Sequence, residues 1–223
     1  MVELTKPLAK YIDHTLLKPD ATQEQIDVLT AQAMRYDFAS VCVNPYWVKR
    51  CAQALEGTSV NVATVIGFPL GATSTYAKVC EVEQALADGV AECDMVQNIG
   101  EFLSGHDDAV LADEKAVASA VHAGNGKLKV ILETCFLTPD QIERACRIAM
   151  AAGADFVKTS TGFANGGAKA EDVRLMAKTV DGQLGVKASG GIHTREEALT
   201  MIANGATRIG ASSGLKIIGA DDE

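Results

Sequence analysis

The chain has 223 residues, of which 48% are hydrophobic, a formal net charge of −9 and a pI of about 5.0. This length and apolar content suit a single domain with a sizeable core, covering residues 1–223. No basic stripe or long Lys/Arg run appears, so we expect no nucleic-acid partner. No apolar run approaches the ~20 residues that a membrane-spanning helix needs, so we expect no membrane association.

Residues 1–6 lack the apolar centre of a signal peptide. The six cysteines form no Cys-x-x-Cys pair, and most of them lie in apolar runs. We therefore expect reduced core cysteines, a cytoplasmic protein and no zinc site.

Eight short β-like runs recur along the chain, separated by segments long enough for helices. They cover about residues 11–15, 39–43, 60–66, 91–96, 128–133, 155–159, 184–188 and 207–211. The alternation predicts parallel βαβ units, and eight units predict an α/β fold closed as a (β/α)8 TIM barrel. An open doubly wound sheet is the alternative, although no Gly-x-Gly-x-x-Gly fingerprint opens a helix. The glycine-free stretch before Tyr11 predicts one extra N-terminal helix that closes the barrel floor.

Three of the intervening segments carry capping boxes, in which a threonine precedes Gln or Glu by three residues and starts a helix. The pairs are Thr22 with Gln25, Thr138 with Gln141 and Thr194 with Glu197. Gly153 and Gly205 predict the ends of the second and third of these helices.

Lys158 and Lys187 each follow a short apolar run and precede a Ser/Gly-rich stretch, which predicts a buried strand ending in a tight loop. Burial disfavours an ammonium group and lowers the pKa of a lysine, and a second ammonium nearby lowers it further. A neutral amine is a nucleophile for carbonyl groups. Asp94, inside the fourth run, could face these lysines as a structural ion pair, in proton transfer, or as the partner of a protonated imine.

A second candidate site follows the seventh and eighth runs, where Gly190-Gly191 and Ser212-Ser213 occur. Loops at these positions of a barrel commonly bind phosphate, because glycines let backbone N–H groups approach an anion. Ordinary turns would give the same pattern, although two such loops in the expected places favour phosphate.

Five further residues are weaker candidates. Glu133 could be a second acid or could hold the network together. His14 and His193 suit structural or phosphate-adjacent contacts. Lys18 could orient the charge network or be an ordinary surface lysine, and Cys42 suits the core better than catalysis.

Ordered motifs extend over nearly the whole chain, at residues 12–19, 41–45, 65–71, 94–96, 128–138, 158–162, 187–192 and 208–214. In these motifs the sequence resembles the deoxyribose-phosphate aldolase family. The resemblance implies a (β/α)8 aldolase that works through a lysine imine, without a metal or another cofactor. The implied reaction is the reversible cleavage of 2-deoxy-D-ribose 5-phosphate into D-glyceraldehyde 3-phosphate and acetaldehyde. We expect this phosphosugar and these aldehydes as partners, and a homodimer or homotetramer.

Matched by motif, the resemblance makes Lys158 the imine-forming lysine, Lys187 the residue that lowers its pKa, and Asp94 the carboxylate that handles protons. It places the substrate and its phosphate against Thr159, Gly162, Gly190, Gly191, Ser212 and Ser213.

Two features depart from the family pattern. Family members often carry Arg or Lys near the phosphate loops, whereas His193 and Phe163 stand there in this chain. Phosphate recognition is therefore expected to depend more on backbone amides. The tail, residues 217–223, lacks the tyrosine that assists proton transfer in some relatives, so either another group relays the proton or turnover is slower.

Two other functions compete with an aldolase. A non-catalytic sugar-phosphate-binding barrel would keep the glycine loops without needing the two lysines and Asp94. Another phosphosugar barrel enzyme of the isomerase type would favour a carboxylate base with a histidine.

Overall fold

A computed structural model describes residues 4–220, and within them eight parallel strands close into a barrel in chain order. The strands are β1 (Ile12–Leu16), β2 (Ser40–Val43), β3 (Asn61–Ile66), β4 (Glu92–Val96), β5 (Lys127–Ile131), β6 (Phe156–Lys158), β7 (Gly185–Ser189) and β8 (Arg208–Ala211). Each predicted run overlaps one of these strands, and β8 pairs with β1 to complete the ring. The (β/α)8 prediction is therefore confirmed, and the open sheet is excluded.

Helices follow the strands along the chain and cover the outside of the barrel. They are α1 (Gln23–Tyr36), α2 (Val48–Ala54), α3 (Thr75–Ala87), α4 (Ile99–Leu103), α5 (Asp107–Ala123), α6 (Pro139–Ala152), α7 (Ala170–Val180), α8 (Arg195–Ala203) and α9 (Gly214–Ile218). Strand residues such as Val41 and Leu128 belong to the same apolar core as helix residues such as Val117 and Ile142. Burial of this shared surface between sheet and helices is the main favourable contribution to the fold.

The three predicted capping boxes all form. Their threonines are Thr22, Thr138 and Thr194. Helix α6 is capped by Gly153, whose φ of 84° is in the left-handed region that favours glycine. Helix α8 is capped by Asn204, one residue before the predicted stop at Gly205. Helix boundaries are therefore set by local sequence signals.

The predicted N-terminal helix is a single 3-10 turn, Leu8–Tyr11, and residues 1–3 lie outside the described part of the chain. Pro7 precedes the turn in an extended conformation and β1 begins directly after it, which leaves room for four residues only. Both ends of the turn are buried, and the charge of Arg208, at the start of β8, acts on Lys6. The turn therefore lies at the barrel floor, as expected. The last three residues of the predicted tail, 221–223, also lie outside the described part.

Side chains two residues apart on a strand face the same side of a sheet. In β4, this alternation directs both Glu92 and Asp94 into the barrel, where they meet side chains of other strands. The strand register pairs Asp94 with Lys129 across β4 and β5, and Lys158 with Lys187 across β6 and β7. The closed barrel thus concentrates ionisable groups in its interior.

All six cysteines lie in the described part and are unpaired, as the sequence predicts. Burial raises the pKa of Cys51, Cys93 and Cys146 to about 12, which keeps them as inert thiols. Within residues 4–220, no helix combines the length and the apolar character that crossing a membrane requires.

Candidate active site

Lys158 ends β6, Lys187 lies in the middle of β7, and Asp94 lies in the middle of β4. The structure brings these three side chains together inside the barrel. One carboxylate oxygen of Asp94, Oδ2, accepts hydrogen bonds from Lys158 Nζ at 2.9 Å and from Lys187 Nζ at 2.7 Å. All three residues are buried, so the two lysines compete for one acceptor away from bulk water.

The two lysines have opposite pKa shifts. Burial lowers the pKa of Lys158, and the charge of Lys187 lowers it further against the attraction of Asp94. Burial would also lower the pKa of Lys187, but the attraction of Asp13 and Asp94 outweighs it and raises that pKa. Asp13 Oδ2 lies 2.5 Å from Lys187 Nζ and supplies a second carboxylate that Lys158 lacks. The charged form is therefore favoured at Lys187, and Lys158 is the lysine of the pair that loses its proton more readily.

A second ionic layer lies below this pair and was missed by the sequence analysis. Lys129 Nζ bonds to Asp94 Oδ1 at 2.6 Å and to Glu92 Oε2 at 2.7 Å. Arg208 Nη1 bonds to Asp13 Oδ1 at 2.6 Å and to Glu92 Oε2 at 3.0 Å. The sequence does indicate the inward direction of Glu92, because Glu92 and Asp94 are two residues apart within one strand and must face the same side.

These contacts fix the charge of Asp94. Burial alone would raise its pKa, but Lys129, Lys158 and Lys187 together hold the pKa of Asp94 well below its usual range. Lys129 occupies Oδ1, which leaves Oδ2 to face the two upper lysines. Asp94 is thus a permanent carboxylate, held in one orientation.

A cavity of about 300 Å³ opens above the lysine pair. It is lined by Thr15, Leu16, Leu17, Lys18, Lys158, Thr161, Gly162, Phe163, Lys187, Ser189, Gly190, Gly191, Ile192, His193, Gly210, Ala211 and Ser212. Both lysines therefore reach the cavity, together with the loops after β6, β7 and β8. Of the six residues predicted to bind substrate, the structure brings four to this cavity, namely Gly162, Gly190, Gly191 and Ser212.

Thr159 and Ser213, the other two, do not line this cavity. Thr159 follows the inward-facing Lys158 and therefore points away from the interior. Its hydroxyl donates to the carbonyl of Ser189 and accepts from the Ser189 N–H, each at 3.1 Å. Ser213 precedes α9, and its hydroxyl lies 3.5 Å from His193 Nδ1. Thr159 thus joins β6 to β7, and its contact with substrate stays a prediction.

The glycines of the loop after β7 are needed for its shape. Gly190 and Gly191 have φ values of 86° and 76°, which disfavour any residue with a Cβ. A Cβ on Gly190 would also lie 3.1 Å from the Cα of Gly167, in the loop after β6. The carbonyl of Gly190 accepts a hydrogen bond from Ala168 N, so these two loops support each other at the cavity mouth.

Glu133 shapes the loop after β6. Its carboxylate is buried, accepts a 2.5 Å hydrogen bond from the Thr161 hydroxyl, and accepts two longer ones from the Thr161 N–H. Thr161 Oγ1 in turn accepts from Phe163 N at 3.0 Å. The sequence allows Glu133 either to be a second acid or to hold the network together. These hydrogen bonds to the loop after β6 support the second role.

The remaining candidates separate into cavity and core residues. Lys18 and His193 line the cavity, and both belong to loops on its β7–β8–β1 side. His14 lies elsewhere, with Nε2 2.8 Å from Gln32 Oε1 and its ring stacked on Phe38. Cys42 is buried and its pKa is raised by burial, which suits the core role expected for it.

The chain matches known proteins along almost all of its length. The model of the DeoC/LacD family aldolase matches residues 8–220. The chain is 57% identical over 211 residues to a Bacillus licheniformis protein named deoxyribose-phosphate aldolase 2, covering 95% of this chain and 94% of that protein. It is 56% identical over 211 residues to a Clostridium botulinum deoxyribose-phosphate aldolase, covering 95% and 99% of the two chains.

The fold is also similar to that of a solved structure. The fold superposes with a TM-score of 0.89 on the tetrameric deoxyribose phosphate aldolase from Aeropyrum pernix, at 33% identity. The match covers 95% of this chain and 89% of that one.

Proposed function

The chain belongs to the DeoC/LacD family of aldolases, and on this premise we propose that it cleaves 2-deoxy-D-ribose 5-phosphate reversibly into D-glyceraldehyde 3-phosphate and acetaldehyde. The observation that carries the proposal is the pair of buried lysines on one oxygen of Asp94. This pair supplies a neutral amine at the bottom of a cavity large enough for a pentose phosphate.

Lys158 is the nucleophile of the proposed reaction. Its amine attacks the aldehyde carbon of the open-chain sugar, and loss of water leaves a protonated imine. This imine is an electron sink, so the bond between the second and third carbons breaks and leaves a neutral enamine on Lys158. The hydroxyl on the third carbon passes its proton to a water molecule in the open cavity as that carbon becomes the aldehyde of glyceraldehyde 3-phosphate. Protonation of the enamine and hydrolysis then release acetaldehyde and the free amine.

Lys187 and Asp94 support this sequence electrostatically. Lys187 stays protonated beside Asp13 and Asp94, and its charge favours the neutral form of Lys158. Asp94 stabilises the positive charge of the protonated imine, because its Oδ2 already faces Lys158 Nζ. Its low pKa favours this role over that of a proton donor. Lys187 also lines the cavity, and we assign to its ammonium the proton transfer to the enamine.

The phosphate is assigned to the β7–β8–β1 side of the cavity. Gly190, Gly191 and Ser212 bring backbone and hydroxyl groups there, and Lys18 adds a positive charge on the same side. Because a nearby ammonium favours a dianion, we infer that Lys18 acts beside the backbone amides in phosphate recognition. Gly162 contributes from the loop after β6.

Two alternatives are less well supported. An isomerase would need a carboxylate base facing the substrate, and no Asp or Glu is among the described residues that line this cavity. A binding-only barrel would gain nothing from two buried lysines that share one acceptor, because unbalanced buried charge is destabilising.

Trapping of the imine tests the proposed function. Acetaldehyde and borohydride should attach one reduced two-carbon group to the protein, and peptide mapping should locate it on Lys158. The Lys158→Gln variant should take up no group at the same aldehyde concentration. A label on Lys187 would reverse the two roles, and a label on exposed lysines only would end the imine mechanism.

The absence of a metal requirement stays a prediction of the same proposal. A protonated imine replaces a metal ion as the electron sink, so activity should survive exhaustive EDTA treatment. Loss of activity with EDTA and its recovery with zinc would contradict this mechanism.

The phosphate assignment has its own test. Lys18→Gln should raise KM for deoxyribose 5-phosphate roughly tenfold, as expected for one charge-assisted hydrogen bond, and should leave the poor turnover of unphosphorylated deoxyribose unchanged. Lys169→Gln is the matched control, because Lys169 is an exposed lysine outside the cavity lining. Equal losses on both substrates would show that Lys18 does not act on the phosphate.

We also propose a homodimer or homotetramer in the cytoplasm. The tetrameric Aeropyrum pernix relative supports assembly, and six unpaired thiols suit a reducing compartment. Light scattering on the purified protein measures the assembly directly, and a monomer at micromolar concentration would exclude it.

A further inference from the structure

A second cavity of about 330 Å³ lies beside the catalytic one, under the loops that follow β3, β5 and β6. Much of its lining is apolar and includes Leu70, Ile99, Phe136 and Phe163. Leu70 and Phe136 are 71% and 53% exposed, so their apolar surface is available to a ligand in this cavity. The mechanism described above makes no use of this space.

Phe163 forms the wall between the two cavities. It lines both of them, as does Thr161. The ring of Phe163 packs edge-on against Phe68, with 5.1 Å between the ring centres and 85° between the planes. The backbone below the ring is tied to Thr161, and Thr161 is tied to the buried Glu133. The wall is therefore fixed at its base and apolar at its top.

The two sides of the wall suit different chemical groups. On the β7–β8–β1 side, Lys18, Gly190 and Ser212 suit an anion. On the far side, the lining is mostly apolar and includes Glu133, whose carboxylate would repel a phosphate. An aliphatic chain would instead gain free energy there by leaving water.

We propose that the second cavity binds the aliphatic tail of an unphosphorylated aldehyde, and that Phe163 limits the length of the tail it admits. The proposal rests on the proposed function, run in the direction of synthesis. The enamine of acetaldehyde on Lys158 attacks the carbonyl carbon of this second aldehyde, a carbon–carbon bond forms, and the aldehyde oxygen takes up a proton to become a hydroxyl. Hydrolysis of the resulting imine releases a 3-hydroxyaldehyde and restores the amine.

The test compares butanal and hexanal as acceptors with acetaldehyde as the donor. In Phe163→Ala, the ratio of kcat/KM for hexanal to that for butanal should rise on the order of tenfold over the wild-type ratio, because two further methylene groups become buried. Phe163→Ala combined with Ala164→Leu should lose this gain, since Ala164 lines the second cavity and leucine would fill it. Tyr76→Ala removes another exposed aromatic ring, which lines neither cavity, and should leave the ratio as in wild type.

The outcomes separate this proposal from the function on which it rests. An unchanged ratio in Phe163→Ala, with borohydride trapping on Lys158 intact, would overturn the role of Phe163 alone. A gain that persists after Ala164→Leu would place the tail outside the second cavity and overturn the assignment of that cavity. Failure of trapping in the wild-type protein would overturn the imine mechanism and this inference with it.

Discussion

Lys129 and Lys158 are buried lysines on neighbouring strands, and each bonds to a different oxygen of Asp94. Their exposed fractions are 0% and 3%, so burial penalises both ammonium groups. Lys129 also faces Glu92 and Asp13, and the carboxylates outweigh burial and raise its pKa. Lys158 shares its acceptor with Lys187, and its pKa is lowered. The number of carboxylates around a buried lysine therefore decides which lysine becomes the nucleophile.

The charge balance of the barrel interior explains the same result. Among the described residues of this network, three carboxylates contact four basic side chains. They are Asp13, Glu92 and Asp94 on one side, and Lys129, Lys158, Lys187 and Arg208 on the other. With every group ionised, one positive charge would be left unbalanced in a medium that solvates it poorly. Loss of the excess proton is most favourable at Lys158, which has one carboxylate partner and opens to the cavity.

Removal of the nucleophile should give the largest effect. Lys158→Gln should lower kcat/KM for deoxyribose 5-phosphate by at least about 10³-fold, because no imine can form. The melting temperature should not fall, since burial already disfavours the ammonium form that the amide removes. A large loss of thermal stability would mean that Lys158 is charged in the resting protein, and the comparison with Lys129 would fail.

Lys187→Leu should have the next largest effect. Removal of this charge leaves Lys158 to balance the carboxylates, so the pKa of Lys158 should rise. Each unit of rise lowers the reactive amine about tenfold near neutral pH. The pH–rate profile should therefore move to alkaline pH, with partial recovery of activity there, and Lys187→Arg should give an intermediate loss. A profile that is scaled down without an alkaline shift would indicate that Lys187 acts by proton transfer or positioning.

Lys129→Met should lower stability, and it should also lower activity near neutral pH, because Lys158 then helps to balance the carboxylates. It leaves Glu92 and one oxygen of Asp94 without their closest cation, which should lower the free energy of unfolding by about 3–5 kcal/mol. The double variant Lys129→Met/Glu92→Gln restores the charge balance and should recover much of that loss in urea unfolding. If the double variant is no more stable than the single one, charge balance does not control this layer.

The smallest expected effect is a change in how the free energy of unfolding depends on pH. Because the folded-state pKa of Lys158 is lowered, the unfolded chain binds the extra proton, and stability should rise with pH up to about 10.5, the ordinary lysine value. Lys129 and Lys187, with raised pKa values, contribute stability that is lost only above that pH. Urea unfolding between pH 7 and 10 should therefore show a shallower rise in Lys158→Gln than in wild type. Equal slopes would show that Lys158 titrates normally.

The sequence was most informative where the signal is local. Apolar runs located all eight strands, and threonine capping boxes located three helix starts. The meeting of Lys158, Lys187 and Asp94 followed from the barrel, because the carboxyl ends of its strands converge on one face.

The rest required three-dimensional information. Lys129 and Arg208 look like ordinary strand lysine and arginine until the register directs them inward. Thr159 follows Lys158 at the end of β6, and its hydroxyl is seen to bond to the Ser189 carbonyl only once the strands are paired. The proposed role of Lys18 depends on the closure of β1 against β8, which joins residues almost two hundred positions apart and cannot be read from local sequence.

The single oxygen shared by Lys158 and Lys187 also affects the lifetime of the covalent intermediate. Once the imine is protonated, two positive charges face Asp94 Oδ2, and the interior carries the excess charge that the resting enzyme avoids. Cleavage of the carbon–carbon bond converts this cation into a neutral enamine, and hydrolysis of the imine restores the amine. Both reactions relieve the repulsion between the two positive charges. The protonated imine is therefore expected to be a minor species during turnover. Only its reduced form, the secondary amine made by borohydride, should accumulate.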